Sequence, residues 1–298
     1  MHECELYVTA RELKMTRMQV LQTYMVLGGI PYYWSFLRRG YSWSQNIDFM
    51  FFEENADLRN EFDALYSSLF RNPEPYIQVV TALGKKKTGM TRGDIAQSIG
   101  QDHGGTLTKI LKDLEMCSFI RSYTSIGKSK KDTLYQLFDN YTLFYFRFIE
   151  GNSQKDRQYW SRSISGGTYN AWCGLAFERV CFQHVDQIKK ALGITGVISG
   201  VYSWLYRAKT VDETGVQIDM LIDRADGVID ICEIKFSQAE YVIKKRYADE
   251  LRNKIAVFQS KTGTNKAVSS VLITTAGLAN NEYSKEIQNQ VVADDLFA

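Results

Sequence analysis

Between Val216 and Phe236 the chain reads VQIDMLIDRADGVIDICEIKF, two β-branched runs on either side of the turn DRADG. Alternation bounded by such a turn predicts an antiparallel hairpin. A strand-like run, VYSWLYR, precedes it, and before that stands a long helix, TYNAWCGLAFERVCFQHVDQIKKAL, ending at Gly193. After the hairpin come a helix near YADELRNKIAVFQ, the strand SSVLITT, another helix after Gly277 and a short run, VVADDLF. Helix, meander, helix, strand is an α/β layout, so residues 168–298 are expected to form a mixed central sheet covered by helices.

That hairpin carries the chemistry. Glu233 and Lys235 sit two apart on CEIKF, so their side chains leave the same face of the strand. Asp219 lies fourteen residues before Glu233, on the preceding strand. Two carboxylates and one ammonium can therefore meet at neighbouring positions. Hydrolysing a phosphodiester requires a hard divalent cation, which takes oxygen ligands, neutralises phosphoryl oxygens and acidifies water. Asp219 and Glu233 are the expected ligands of Mg²⁺ (or Mn²⁺), with the Ile234 carbonyl as a third. Lys235 is expected to orient the water and stabilise the developing negative charge. As a bare pattern E-x-K is weak, and Glu12-Leu13-Lys14 also satisfies it on a presumed helix. The setting among Ile, Val, Met and Leu, where burial of charge is costly, gives 233–235 its weight. The alternative is an ordinary cross-strand ion pair on a solvated face. Glu178, at the edge of the apolar stripe Phe177, Cys181, Val185, Ile188 and Leu192, is a further catalytic candidate.

Residues 1–72 read as helices: MTRMQVLQTYMVL, a break at Gly28-Gly29-Ile30-Pro31, YYWSFLRRG, then NADLRNEFDALYSSLF. Tyr32, Tyr33, Trp34 and Phe36 are read as core. Residues 73–150 open with prolines at a helix start and reach a stop at Gly84. Thr91 and Asp94 resemble a capping box. Thr106 is expected to cap TLTKILKDLEM, whose buried stripe is Leu107, Ile110, Leu111 and Leu114. SFIRSYTSIGKSKKDTLYQLF then reads as a hairpin. Three short helices and a hairpin make a winged helix-turn-helix. Residues 151–167 are polar and are the expected linker.

Net charge is only +2, so a polyanion partner has to be argued locally. Between Lys85 and Lys131 there are ten Lys or Arg against four Asp or Glu. This excess favours DNA, met by Lys109 and Lys112 on the third helix and by Lys128, Lys130 and Lys131 in the wing turn. A protein-packing module with a solvated basic face is the alternative. Gly127-Lys128-Ser129 ends like a phosphate loop, but Ser122 stands where its first glycine should be, and the surroundings read as a hairpin. No ATP site is therefore expected. Cys173 and His184 are eleven residues, about 16 Å, apart along a helix, too far for one zinc ion. The five scattered cysteines suggest reduced, mostly buried thiols. The charged N-terminus, MHECELYVTARELK, offers no signal or spanning segment, which predicts a cytoplasmic protein with no membrane partner.

In order, the run VLGGIPYYW, the winged helix ending in LYQLFDNYTLFYFRF, then GLAFERVC, QIDMLID with CEIKF, and the terminal VLITTAG and DLF resemble the C-terminal two-thirds of archaeal-type ATPases. Those proteins join an AAA+-like ATPase of the STAND kind to a winged helix and a domain assigned to the PD-(D/E)xK nuclease superfamily. The resemblance implies a helical N-terminal segment from the end of an ATPase module, a winged helix-turn-helix and a restriction-endonuclease-like α/β domain. It makes Asp219, Glu233 and Lys235 the nuclease-motif positions and Glu178 the helix glutamate beside them. An ATPase subunit, or a second copy, is a partner it allows. The ATPase core has no counterpart ahead of Met1, and Ile218 stands where the motif has proline. The functional expectation is a DNA-binding, Mg-dependent nuclease without its own nucleotide site; a non-catalytic DNA- or protein-binding regulatory fragment is the alternative.

Overall fold

The computed structural model describes residues 1–100, 104–124, 126, 132–152, 156–164, 166–208, 210 and 213–298. These group into two units, residues 1–122 with 133–179, and residues 123–132 with 180–298. No described helix is long and apolar enough to cross a membrane.

The first unit begins with helices α1 (His2–Ala10), α2 (Arg17–Leu27), α3 (Pro31–Trp34), α4 (Trp43–Phe51) and α5 (Glu61–Leu69). Capping boxes at Thr16 and Ser42 fix the starts of α2 and α4, and Pro31 opens α3. Tyr33 and Trp34 are buried and Trp34 Nε1 donates to the Gly28 carbonyl at 2.7 Å, but Tyr32 is exposed. The expected aromatic core thus takes only part of that run.

Next come α6 (Glu74–Gly84), β1 (Met90–Thr91), α7 (Arg92–Ser98), α8 (Gly105–Met116), β2 (Ile120–Tyr123) and β3 (Leu134–Leu137). The strands form a small sheet in the order β1-β3-β2. Thr91 and Asp94 form the expected capping box. The start of α8 differs: Gly104 is its N-cap and no side chain caps it. Its buried stripe is nevertheless Leu107, Ile110, Leu111 and Leu114, as the spacing predicts. Gly84 is the last residue of α6, and a Cβ there would stand 2.7 Å from Phe146 Cδ2, so it serves close packing.

Helix α9 (Asn140–Phe144) runs into a π-helical turn, Tyr145–Ile149, followed by α10 (Tyr159–Ser163) and α11 (Gly167–Gln183). Within the polar stretch 151–167, Trp160 is fully buried, ringed by Phe144, Phe148 and Trp172 with centroids 5.0–5.4 Å away. The Asp48 carboxylate accepts the Trp160 and Ser161 N–H groups at 2.8 and 3.1 Å. Burial pushes the Asp48 carboxyl up in pKa despite these bonds.

Arg179 ties the first unit together. It is 1% exposed; its guanidinium pairs with Glu178 at 2.8 Å and donates to the Leu137 and Lys87 carbonyls at 3.2 and 3.1 Å. Arg179→Met would leave a buried carboxylate without its cation and take a donor from the Leu137 and Lys87 carbonyls, and is expected to destabilise the protein by about 3–5 kcal/mol. Urea denaturation measures this, and a loss of less than about 1 kcal/mol, the scale of an exposed pair, would refute a structural role for the ion pair.

In the second unit α12 (Val185–Ala191) precedes β4 (Ser199–Tyr206), β5 (Val216–Arg224), β6 (Val228–Lys235), α13 (Lys245–Thr262), β7 (Ala267–Thr274) and β8 (Asn289–Val292). The sheet order is β4-β5-β6-β7-β8, antiparallel from β4 to β6 and parallel from β6 to β8. The expected mixed sheet is present. The long helix expected over 168–192 is broken at His184: its Nδ1 bonds the Val180 carbonyl at 2.8 Å, and its N–H turns to Cys181. A side chain has replaced the backbone donor. The helix expected after Gly277 is also absent; 3₁₀ turns stand at Ser284–Glu286 and Ala293–Phe297 instead. At the first of these Asn281 Oδ1 accepts the N–H groups of Tyr283 and Ser284, an Asx turn that competes with helix. Ile126 packs with the cluster of Trp204, Ile218, Ile231 and Phe258. Four cysteines are buried and Cys117 is exposed, all free thiols.

Candidate functional site

Sheet parity sets up the site. Ile229, Ile231, Glu233 and Lys235 share one face of β6, and Phe258 of α13 packs in the same cluster as Ile229 and Ile231. Two strand residues advance about 6.6 Å, and four helix residues about 6 Å. One turn back from Phe258 therefore comes Lys254, opposite Glu233. Its Nζ donates to Glu233 Oε1 at 2.6 Å, and from the same helix the Tyr247 hydroxyl donates to Oε2 at 3.1 Å.

Asp219 faces Glu233 across a break in the ladder. Pairing of β5 with β6 runs from Asp223↔Ile229 to Met220↔Cys232 and stops there. One step on, the Asp219 carboxylate accepts the Ile234 N–H at 3.2 Å. On the other side of β5 the register against β4 shifts between Tyr202 and Trp204, and Ser203 Oγ donates to the Asp219 carbonyl at 3.0 Å. A bulge on one side and an ended ladder on the other free the Asp219 side chain from ordinary sheet surroundings. β6 is also where the sheet changes from antiparallel to parallel.

The electrostatics follow from crowding. Burial and then the negative charge of Asp219 push the Glu233 carboxyl above its usual pKa, against the pull of Lys254 and Lys235. Glu233 is 1% exposed. Lys235 Nζ lies 3.6 Å from Glu233 Oε2 and 5.2 Å from the Tyr247 ring centre. Burial alone would lower its pKa, but Glu233 and Asp219 together carry the net shift upward. Burial and Glu233 hold the Tyr247 hydroxyl in its protonated, donating form.

Asp219, Glu233 and Lys235 are thus brought together. Glu178 lies in the first unit, with its carboxylate on Arg179. Lys109 and Lys112 are exposed on α8, whereas the helix's acids are engaged: Asp113 accepts from Tyr76 at 2.8 Å and Glu115 from the Ser122 N–H at 3.1 Å. Lys128, Lys130 and Lys131 lie outside the described residues. Sequence reasoning missed Lys254 and Tyr247. The available signal was a lysine standing between Leu251 and Phe258, both buried on α13.

No group of three or more His, Cys, Asp or Glu suited to a metal occurs among the described residues. Two carboxylates still fit Mg²⁺, which often takes only one or two from a protein and completes its shell with water and substrate phosphate. Within this set, two carboxylates already face two ammoniums.

Over 197 residues, 65% of this chain, the sequence is 27% identical to an uncharacterized protein of Methanocaldococcus jannaschii. The match spans 44% of that relative's length. No family model matches the chain, and no solved structure matches it.

Proposed function

We propose that the protein is a DNA-binding, metal-dependent phosphodiester hydrolase, with Asp219, Glu233 and Lys235 as its catalytic residues. The observation that carries this reading is their convergence where the β5–β6 ladder ends, with an unusually basic carboxylate buried between them. Asp219, Glu233 and the Ile234 carbonyl would hold Mg²⁺ or Mn²⁺, which when bound supplies charge neutralisation and an acidified water. Lys235 orients the water, stabilises charge on the phosphoryl oxygens as the bond to the leaving oxygen breaks, and is itself held by Glu233 and Tyr247. The restriction-endonuclease-like fold, the winged helix, the kinship with archaeal-type ATPases and a cytoplasmic location belong to the same proposal. Incubation with Mn²⁺ and linear, supercoiled and branched DNA tests it. Cleavage of at least one substrate is expected; cleavage of none, with no metal binding by calorimetry, would overturn it.

A second reading is favoured by Lys254. With both Glu233 oxygens engaged and the charges balanced, the cluster also suits a non-catalytic fold in which the chain serves as a DNA- or protein-binding module. DNA binding belongs to the hydrolase reading and to the DNA-binding form of the second. Replacing Lys109 and Lys112 with Ala is expected to weaken binding on all sequences alike and to flatten the slope of log K against log salt by up to about two units. An unchanged slope in a fluorescence-anisotropy titration would leave α8 without a role at the phosphates.

A further inference from the structure

A cavity of about 390 Å³ in the first unit has Arg11, Ser35, Phe36, Arg38, Phe49 and Asp57 in its lining. Arg11 closes α1, and Arg38 follows α3. Both are exposed, and neither has an ion-pair partner among the described residues. Arg39, also at the cavity, is paired with Glu12, and Asp57 is the one carboxylate in the lining. The sequence sets this charge: between Leu13 and Ile47 there are four Lys or Arg and no Asp or Glu.

Two exposed rings flank the cavity. Tyr32 is 57% exposed and meets Phe36 edge to face at 5.1 Å; Tyr41 is 44% exposed and meets Phe49 edge to face at 6.4 Å. Among the described residues neither tyrosine is stacked face to face on another ring. The loop between them is held from within. Asn46, buried on α4, accepts the Arg38 N–H at 2.7 Å and donates to the Tyr41 and Ser42 carbonyls at 3.4 and 3.1 Å. The Arg38 guanidinium carbon lies 3.3 Å from the Phe49 ring centre, and a guanidinium held over a ring keeps its N–H edge for an anion. Fold stability does not account for the arrangement. Ring area left in water adds nothing to burial, and two unmatched guanidiniums at one cavity repel each other.

We propose that this surface binds single-stranded nucleic acid, with bases stacked on Tyr32 and Tyr41 and backbone phosphates at Arg11 and Arg38. Aromatic and cationic side chains side by side suit a strand whose bases are free. In a duplex the bases are already stacked on one another, and the tyrosines would go unused. An acidic peptide matches the arginines but brings no flat ring at each step for the tyrosines. The proposal goes beyond the hydrolase reading and rests neither on Asp219, Glu233 and Lys235 nor on the lysines of α8.

Fluorescence anisotropy on the full chain uses a labelled oligothymidylate, with a duplex and an abasic strand of the same length and polyglutamate as comparisons. The oligothymidylate is expected to bind at low salt with a Kd at or below about 10 μM. Tyr32→Ala/Tyr41→Ala should weaken it at least about tenfold while changing duplex binding by less than about twofold. Tyr32→Phe/Tyr41→Phe, which keeps both rings, should bind like the wild type. The abasic strand should bind the wild type about as weakly as oligothymidylate binds the double-alanine variant. Arg11→Gln/Arg38→Gln should flatten the slope of log K against log salt by up to about 1.4 units, the contribution of two single-strand phosphates. All four residues are exposed, so each variant should keep the wild-type urea midpoint. No saturable binding of the oligothymidylate, equal binding of it by Tyr32→Ala/Tyr41→Ala, or displacement by polyglutamate as effective as by unlabelled strand would overturn the proposal. Absence of cleavage bears on the hydrolase reading instead.

Discussion

In the proposed hydrolase, Lys235→Ala is expected to slow DNA cleavage by about a hundred- to a thousand-fold while leaving metal bound, because its ammonium would act on the water and the transition state rather than on the metal. Asp219→Asn and Glu233→Gln should instead lose metal binding and cleavage together, since an amide cannot replace the ligand charge. The geometry sharpens the contrast. Lys235 sits 3.6 Å from Glu233 and is partly exposed, where an incoming phosphate can reach it. Glu233 is buried and, with Asp219, supplies the negative charge of the cluster. The Lys235→Ala protein should bind Mn²⁺ at least as tightly as the wild type, since one neighbouring cation is gone. Calorimetry with Mn²⁺ beside single-turnover cleavage separates the two effects. Undiminished cleavage by Lys235→Ala, or undiminished metal binding by Asp219→Asn, would remove these residues from the roles assigned to them.

The strands that carry the site were legible because alternation and the DRADG turn fix both their extents and their pairing: β5 and β6 span Val216–Arg224 and Val228–Lys235 as the pattern predicts. A one-residue slip would have turned Asp219 to the other face. The coarse architecture, a helical start and a mixed sheet, was legible from apolar periodicity; the structure gives that sheet five strands. What escaped was set by single side chains acting on backbone. His184 breaks a helix whose apolar period continues through it, and Asn281 closes a turn where a helix was expected. Neither effect changes hydrophobic periodicity, so neither shows in it. Lys254 and Tyr247 escaped for another reason: a helix lysine is ordinarily solvated, and only the distance from Phe258 to the strand beneath places this one on a buried carboxylate. Likewise, the bulge at Ser203 leaves no trace in composition.

Lys254 offers a large effect on stability and the sharpest test between the two functional readings. Lys254→Met removes the ammonium 2.6 Å from a carboxylate that is 1% exposed, and is expected to cost the metal-free protein about 3–5 kcal/mol. The loss should depend on pH in a definite direction. Without Lys254 the Glu233 carboxyl moves further up from its already raised pKa, so the folded variant holds a proton that the unfolded chain has released. Stability then falls as pH rises from the ordinary glutamate range through that raised value, and the deficit shrinks again in acid. Glu233→Gln combined with Lys254→Met removes both charges and should recover most of the loss. Metal distinguishes the readings. If the site takes Mn²⁺, the cation replaces the missing ammonium, and saturation at about a hundred times Kd returns about 2.7 kcal/mol. The wild type, where Lys254 already compensates Glu233, should gain less at the same concentration. Urea denaturation of both proteins with and without Mn²⁺ reads this out. A variant that is destabilised yet gains nothing from metal would make Lys254 and Glu233 a structural ion pair, and the hydrolase reading would give way to the binding module.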